Sequence, residues 1–423
     1  MDAGTSSERP SGRTITTRCC IVGGGPAGMM LGYLLGRARV DVVVLEKHAD
    51  FFRDFRGDTV HPSTLQVMDE LGLIDGFLKL PHQRLQVMDG IIGGAAIRIA
   101  DLSRLKVKYP FIAFMPQWDF LNFLRESGRR FGSLKVLMNA DATDLIWSGD
   151  TVAGVRADTP EGPVDIRADL TVGCDGRHSM VRERARLAVE EIGAPMDVLW
   201  FRAGKRADEN ERLFARIETG KMMVTFDRGD YWQCAYVIAK GQYEAVKAAG
   251  LDAFRDDIVR LAPILKTGMS DVKNWDDVKL LTVAINRLPR WTLPGLLCIG
   301  DAAHAMSPVG GVGVNLAVQD AVATANLLAA KLASGCPSET ELDAVRQRRE
   351  FPVRMTQTMQ VAVQNNLISP ALKPSDQPLR PPLFARIVNA VPWLQGITAR
   401  FIGLGVRPEH VRSPAVLQTD RKP

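Results

Sequence analysis

The chain has 423 residues, of which 46% are apolar and 24% charged, with a formal net charge of +5. This composition implies a packed fold of two or three structural units and excludes a low-complexity chain. No apolar run reaches the ~18 residues of a membrane span. The basic residues are interleaved with acids, not gathered into a stripe with stacking aromatics, which argues against a nucleic-acid partner.

Residues 1–17 are polar and contain no apolar stretch long enough for a signal peptide. They are expected to form a disordered tail on a cytoplasmic protein. The six cysteines show no C-x-x-C, which suits a reducing compartment, and the six histidines lack ligand-like spacing, so no metal site is expected.

An apolar run, Cys19 to Val22, reads as a buried strand, and Ala27 to Leu35 as a helix. Between them, Gly23, Gly25 and Gly28 fit G-x-G-x-x-G. The first glycine permits a tight turn, the second lets backbone approach a pyrophosphate, and the third lets helix and strand pack closely. The helix start offers free N–H groups and a positive dipole end. A second apolar run, Val40 to Leu45, ends in Glu46, where a carboxylate can accept ribose hydroxyls.

Arg56 then precedes a helix over Pro62–Leu71 and is placed to reach a dinucleotide, or is simply a surface arginine. Leu85 to Val107 is strand-like, with Gly93-Gly94 as a turn. Met115-Pro116-Gln117-Trp118 opens a helix over 119–130. Strands follow near 134–138, 142–147 and 152–157. Another buried strand ends at Cys174 in Asp175-Gly176, a ligand edge, and Ser179 starts a helix.

Residues 187–285 change texture. Strand candidates 222–226 and 231–238 alternate with a helical stretch, 242–262, as in an inserted sheet-based substrate domain. Tyr231, Trp232 and Trp275 either line a pocket there or fill a core. The strand Leu296 to Ile299 then runs into Gly300-Asp301 and a loop carrying Pro308, Gly310, Gly311, Gly313 and Asn315, before a helix over 316–332. Two glycine-rich strand-to-helix turns imply a long ligand gripped at both ends.

Arg346, Arg348 and Arg349 read as a solvated helix face. After a helix through Arg354–Asn366 and a proline-rich joint, Leu383, Ile387, Val391, Leu394, Ile397, Phe401 and Leu404 form a helical stripe that Pro392 should break or kink. This stripe docks on the protein body, or makes a dimer or peripheral membrane contact.

These three motifs, in this order, resemble the single-component FAD-dependent aromatic hydroxylases, the p-hydroxybenzoate hydroxylase type. The resemblance implies an α/β fold. An FAD-binding Rossmann-like domain of glutathione-reductase type would comprise residues 18–84, 108–186 and 286–366. The substrate domain would comprise 85–107 and 187–285, and a helical C-terminal segment 367–423. It further implies FAD as cofactor, NADPH or NADH as co-substrate, dioxygen, a small aromatic substrate, and a monomer or homodimer. Dioxygen would add at flavin C4a, and the hydroperoxide would hydroxylate a phenol-like ring.

By matched position, Gly23, Gly25, Gly28 and Glu46 would hold the adenosine half of the cofactor. Arg56 and Gln117 would contact flavin, Asp175 and Gly176 would serve FAD and the nicotinamide cofactor, and Asp301 would bind ribityl. Pro308, Gly310, Gly311, Gly313 and Asn315 would lie along the isoalloxazine. The stretch Gly57-Asp58-Thr59-Val60-His61 departs from the apolar pattern of many relatives. Asp58 or His61 would cap the next helix or face the active site, and with Tyr231 they are the candidate substrate bases. Rival readings are an FAD-dependent reductase or quinone-precursor hydroxylase of the same fold acting on a lipophilic substrate, and a non-catalytic FAD sensor.

Overall fold

The computed structural model describes residues 13–52, 58–206, 209, 215–373, 375 and 377–415. Its first layer is an eight-stranded sheet. Along it lie Thr292–Leu293, Leu296–Cys298, Gly162–Gly173, Arg13–Val22, Val42–Glu46 and Leu134–Met138, with Thr151–Thr159 and Asp141–Ser148 attached as antiparallel strands. Arg13–Val22 lies at its centre, parallel to Gly162–Gly173 on one side and Val42–Glu46 on the other. Such strands are covered on both faces, which is why Cys19 to Val22 and Val42 to Leu45 read as unbroken apolar runs. The strand starts at Arg13, so residues 13–17 are sheet and not tail, while residues 1–12 lie outside the described residues. The longer start arises because Arg13 to Thr17 pair with Val164 to Ala168, a long-range register that polar composition conceals.

Two helices pack over the core. Pro26–Arg37 begins with proline, whose fixed φ suits the first helical position. The helical stretch Val309–Ser334, which includes helix Gly313–Ser334, is long and apolar enough to cross a membrane, but 83% of its apolar window is buried within the fold. A Cβ on Gly300 would come within 3.2 Å of Ala27 and 3.5 Å of Ala317, so small residues let the two helices converge beside the Gly-Asp turn.

The second layer is a seven-stranded sheet in the order Lys279–Leu281, Met196–Gly204, Tyr231–Ala239, Lys221–Asp227, Ala215–Glu218, Val87–Ile92 and Ala95–Asp101. Residues before and after the Asp-Gly motif thus form one sheet. Gly93 and Gly94 make its hairpin turn, both at positive φ. The helical stretch 242–262 is two helices, Tyr243–Ala249 and Leu251–Leu261, separated where Gly250 takes φ +95°. The C-terminal stripe is likewise two helices, Leu383–Ala390 and Pro392–Leu404. Pro392 breaks the stripe and starts the second helix. Asn389 accepts from the Arg98 N–H and Thr398 donates to the Ile99 carbonyl, so these helices cover the free edge of the last strand.

Candidate active site

The first glycine loop is sterically determined. Gly23 has φ +106°, and a Cβ there would lie 2.4 Å from the Cys174 carbonyl oxygen. A Cβ on Gly28 would lie 1.9 Å from the Gly23 carbonyl oxygen. Gly25 differs, because a Cβ would meet nothing within 4 Å. Two glycines fold the loop and the third leaves open space at a helix N-terminus, the arrangement a pyrophosphate requires. Glu46 closes the loop from below. Its Oε2 accepts the Gly24 N–H at 3.2 Å and its Oε1 the His48 N–H at 3.0 Å.

The Asp-Gly motif lies against this loop. Asp175 Oδ2 accepts the Val181 N–H at 3.1 Å, and Ser179 caps the short helix Met180–Arg184 through Arg182. Asp175 Oδ1 is buried without a hydrogen-bond partner among the described residues. Burial raises the pKa of the carboxyl, although its hydrogen bonds with Ser179 and Val181 oppose the shift. An orphaned buried carboxylate oxygen suits a ligand hydroxyl as its missing donor. Gly176 has φ +84° and open space around it.

The second glycine loop runs from Gly300 to Gly313. Asp301 sits half-buried in its first turn. Gly310 and Gly311 take φ +80° and +64°, and a Cβ on Gly311 would lie 2.7 Å from Thr59 Oγ1. Thr59 donates to the Gly311 carbonyl at 2.8 Å. Asn315 is buried, and its Oδ1 accepts from the His61 N–H at 2.9 Å and from Thr64 Oγ1 at 2.7 Å. The Asn315 side chain therefore clamps residues 59–64 onto the loop. Helix Gly313–Ser334 starts with no side-chain cap and no acid in its first turn, and space is open at Gly313. Its free N–H groups suit an electron-rich ring edge.

Ser307 and Val309 are held by a ladder of buried glutamines on Glu339–Val363 and its continuation, Gln364–Ile368. Gln360 accepts from the Ser307 N–H at 3.2 Å and donates to the Ser307 and Val309 carbonyls, both at 2.9 Å. Gln364 donates to Ser307 Oγ at 2.7 Å, and Gln357 to the Asn286 and Ala305 carbonyls at 2.9 and 3.1 Å. Sequence reading missed this ladder. Its signal was the i, i+3, i+7 spacing of three amides along one face of the helix.

The substrate sheet turns one face toward this loop. Val198, Trp200, Met222, Val224, Ala235, Val237 and Leu281 form a cluster with Val309. Trp200 stacks on Phe226 at 6.0 Å between ring centroids. Trp232 and Trp275 point the other way, into the core beneath Tyr243–Ala249 and Leu251–Leu261, so their pocket reading is corrected to core. Strand alternation decides this: Trp232, Cys234, Tyr236 and Ile238 share one face, and Ala235 and Val237 the other. Tyr231 is half-buried beneath the Arg202 guanidinium.

The capping reading of Asp58 and His61 is corrected too. Asp58 pairs with Arg228 at 2.7 Å and accepts from Gln233 Nε2 at 2.6 Å, joining the flavin-side loop to the substrate sheet. His61 occupies the N-cap position but makes no side-chain cap bond. Its Nδ1 donates to the Ile402 carbonyl at 2.8 Å, and burial lowers its pKa to about 4. Gln117 sits half-buried at the start of Gln117–Gly128, and Arg56 lies outside the described residues.

Two glycine loops at two uncapped helix starts, beneath an apolar sheet face, form a site suited to an extended dinucleotide. The FAD binding domain family model matches residues 16–359, and the chain belongs to that family. It is 30% identical over 370 residues to 6-methylpretetramide 4-monooxygenase of Streptomyces rimosus, covering 86% of this chain and 88% of that one. Anhydrotetracycline hydroxylase from Streptomyces rimosus superposes with a TM-score of 0.73 at 25% identity, over 93% of this chain and 77% of that one. p-Nitrophenol 4-monooxygenase from Pseudomonas putida shares the fold, with a TM-score of 0.72 at 20% identity over 92% and 94% of the two chains.

Proposed function

We propose that the protein uses NADPH or NADH and dioxygen to hydroxylate a planar, largely apolar phenol-like substrate bound between the 308–315 loop and the substrate sheet. The observation that carries this reading is the apolar face holding Trp200, Met222, Val224 and Leu281 against Val309. Such a face favours a flat ring through area and stacking and offers no fixed charge to a carboxylate. Similarity to enzymes named for pretetramide and anhydrotetracycline supports a fused-ring substrate.

When bound, FAD supplies the activation of dioxygen. Gly23, Gly25 and the N-terminus of Pro26–Arg37 hold its pyrophosphate, and Glu46 its ribose. By matched position Arg56 and Gln117 would contact the flavin, and Asp301 would take a ribityl hydroxyl. The Asp175–Gly176 edge serves the dinucleotide. Pro308, Gly310 and Gly311 lay backbone along the ring, where side chains would hold it away. The N–H groups of Gly313 to Asn315 stabilise negative charge at the ring edge, an effect worth a few kcal/mol in a preorganised site. The substrate sheet covers the ring and excludes water.

Oxidation of NADPH and NADH by the FAD-loaded protein tests the reading, with a panel of phenols, naphthols and fused-ring polyketides. Substrate-stimulated oxygen uptake with a product one oxygen heavier is expected. Cofactor oxidation without oxygen uptake would replace this reading with a reductase of the same fold.

A further inference from the structure

The C-terminal helices bury little and expose much. Within Leu383–Ala390 only Ala385 is buried, while Leu383 (69% exposed), Phe384 and Ile387 point outward. In Pro392–Leu404 the buried positions are Gln395, Ala399, Gly403 and Leu404, and Trp393 (65% exposed) and Ile397 (55% exposed) point outward. Their i, i+4 spacing puts each set on one face. Five bulky apolar side chains on two consecutive helices exceed the scatter of a typical surface.

The charge around them has one sign. Arg380, Arg386 and Arg400 are exposed, and no Asp or Glu occurs from Gln377 to Pro408. The acids of the two strands beneath are engaged elsewhere, Asp89 of Val87–Ile92 with Arg98 and Asp101 of Ala95–Asp101 with Arg104. A two-fold pairing of two such faces would bring arginines together without a carboxylate between them. A surface that is apolar below and negative at its rim complements the patch in both respects. An amphipathic helix with Trp, Phe and Leu on its apolar side and arginines beside them has the composition of an interfacial helix.

We propose that the outward face of Leu383–Ala390 and Pro392–Leu404 docks the protein on an anionic lipid surface. Leu383, Phe384, Ile387, Trp393 and Ile397 enter the headgroup–acyl boundary, and Arg380, Arg386 and Arg400 meet lipid phosphates. The helices brace the edge strand of the sheet whose face lines the candidate substrate space. Docking therefore holds that sheet near the phase in which an apolar fused-ring compound concentrates.

The test is co-sedimentation of the FAD-loaded full chain with phosphatidylcholine vesicles, with and without phosphatidylglycerol. The FAD absorption spectrum serves as the folding control. Association with phosphatidylglycerol vesicles is expected to exceed that with phosphatidylcholine by about ten-fold or more and to weaken with salt. The exposed pair Trp393→Ser/Ile397→Ser and the pair Arg386→Gln/Arg400→Gln should each reduce it by about ten-fold while retaining FAD. The proposal is overturned if neither vesicle binds, or if both pairs bind like the parent. It is also overturned if the parent is a dimer in light scattering that Trp393→Ser/Ile397→Ser converts to monomer, which would assign the face to a second copy. Binding to an acidic protein with none to vesicles would likewise replace the lipid.

Discussion

Gly25 and Gly28 look equivalent in a motif but differ in what surrounds them. A methyl group on Gly28 meets backbone at 1.9 Å, whereas one on Gly25 meets no protein atom within 4 Å. Gly25→Ala should therefore leave thermal stability of the apoprotein nearly unchanged and weaken FAD retention by about ten-fold or more, because the methyl group occupies pyrophosphate space. Gly28→Ala should destabilise the apoprotein itself. FAD titration beside apoprotein melting separates the two. If Gly25→Ala binds FAD like the parent, the cradle is misassigned.

His61 makes a pH prediction at the same scale. Burial lowers its pKa from 6.5 to about 4, and the Ile402 carbonyl opposes this only in part. Because the folded value is the lower one, the unfolded chain takes up the proton first. Stability owed to the neutral ring is intact above about pH 6.5 and is lost as pH falls toward about 4, by up to about 3 kcal/mol. Urea midpoints between pH 7.5 and pH 5 should fall in the parent by more than in His61→Asn.

At the scale of elements, the glutamine ladder explains how a glycine-containing loop keeps one conformation. Gln360 alone satisfies three backbone groups of Ser307 and Val309, and a leucine of similar volume satisfies none. Gln360→Leu should cost about 2–4 kcal/mol, since buried N–H and C=O groups are left unpaired. Because the loop then samples other positions, bound-flavin fluorescence should change and the peroxide yield per NAD(P)H should rise. A stability loss without a change in flavin fluorescence would limit the ladder to a structural role.

At the scale of the molecule, a buried charge chain ties the C-terminal segment to the second glycine loop. His304 Nε2 meets Asp320 at 2.6 Å, Asp320 meets Arg349 at 2.9 Å, and Arg349 approaches Glu409 at 3.6 Å. Glu409 also takes a bidentate bond from Arg348 and donates its N–H to Gln319. Burial alone would raise the Asp320 carboxyl, but His304 and Arg349 outweigh it and its pKa is lowered. Arg349→Leu should destabilise the protein by about 3–5 kcal/mol, because Asp320 keeps its burial and loses a partner. Chemical denaturation should show the loss, with Arg346→Leu, a half-buried control paired to Asp343 and Glu350, affected much less.

The sequence by itself determined the nucleotide-binding half. The parallel strands ending at Val22, Gly173 and Cys298 close in apolar runs covered on both faces and lead into glycine-containing turns, so those ends are announced locally. Gly23, Gly28, Gly310 and Gly311 are required by local backbone geometry, which is why a motif can find them. Tertiary structure decided what depends on partners distant in sequence. Arg349 read as solvated within Arg346–Arg349, yet it is 1% exposed because Asp320 and Glu409 meet it from 29 and 60 residues away. Trp232 faces the core and Trp200 the candidate site because sheet pairing assigned the faces. Asp58 was drawn from the helix start by Arg228 and Gln233, and His61 by Ile402. Local propensity acts over one turn of chain, whereas burial and charge pairing act between whichever residues the fold brings together.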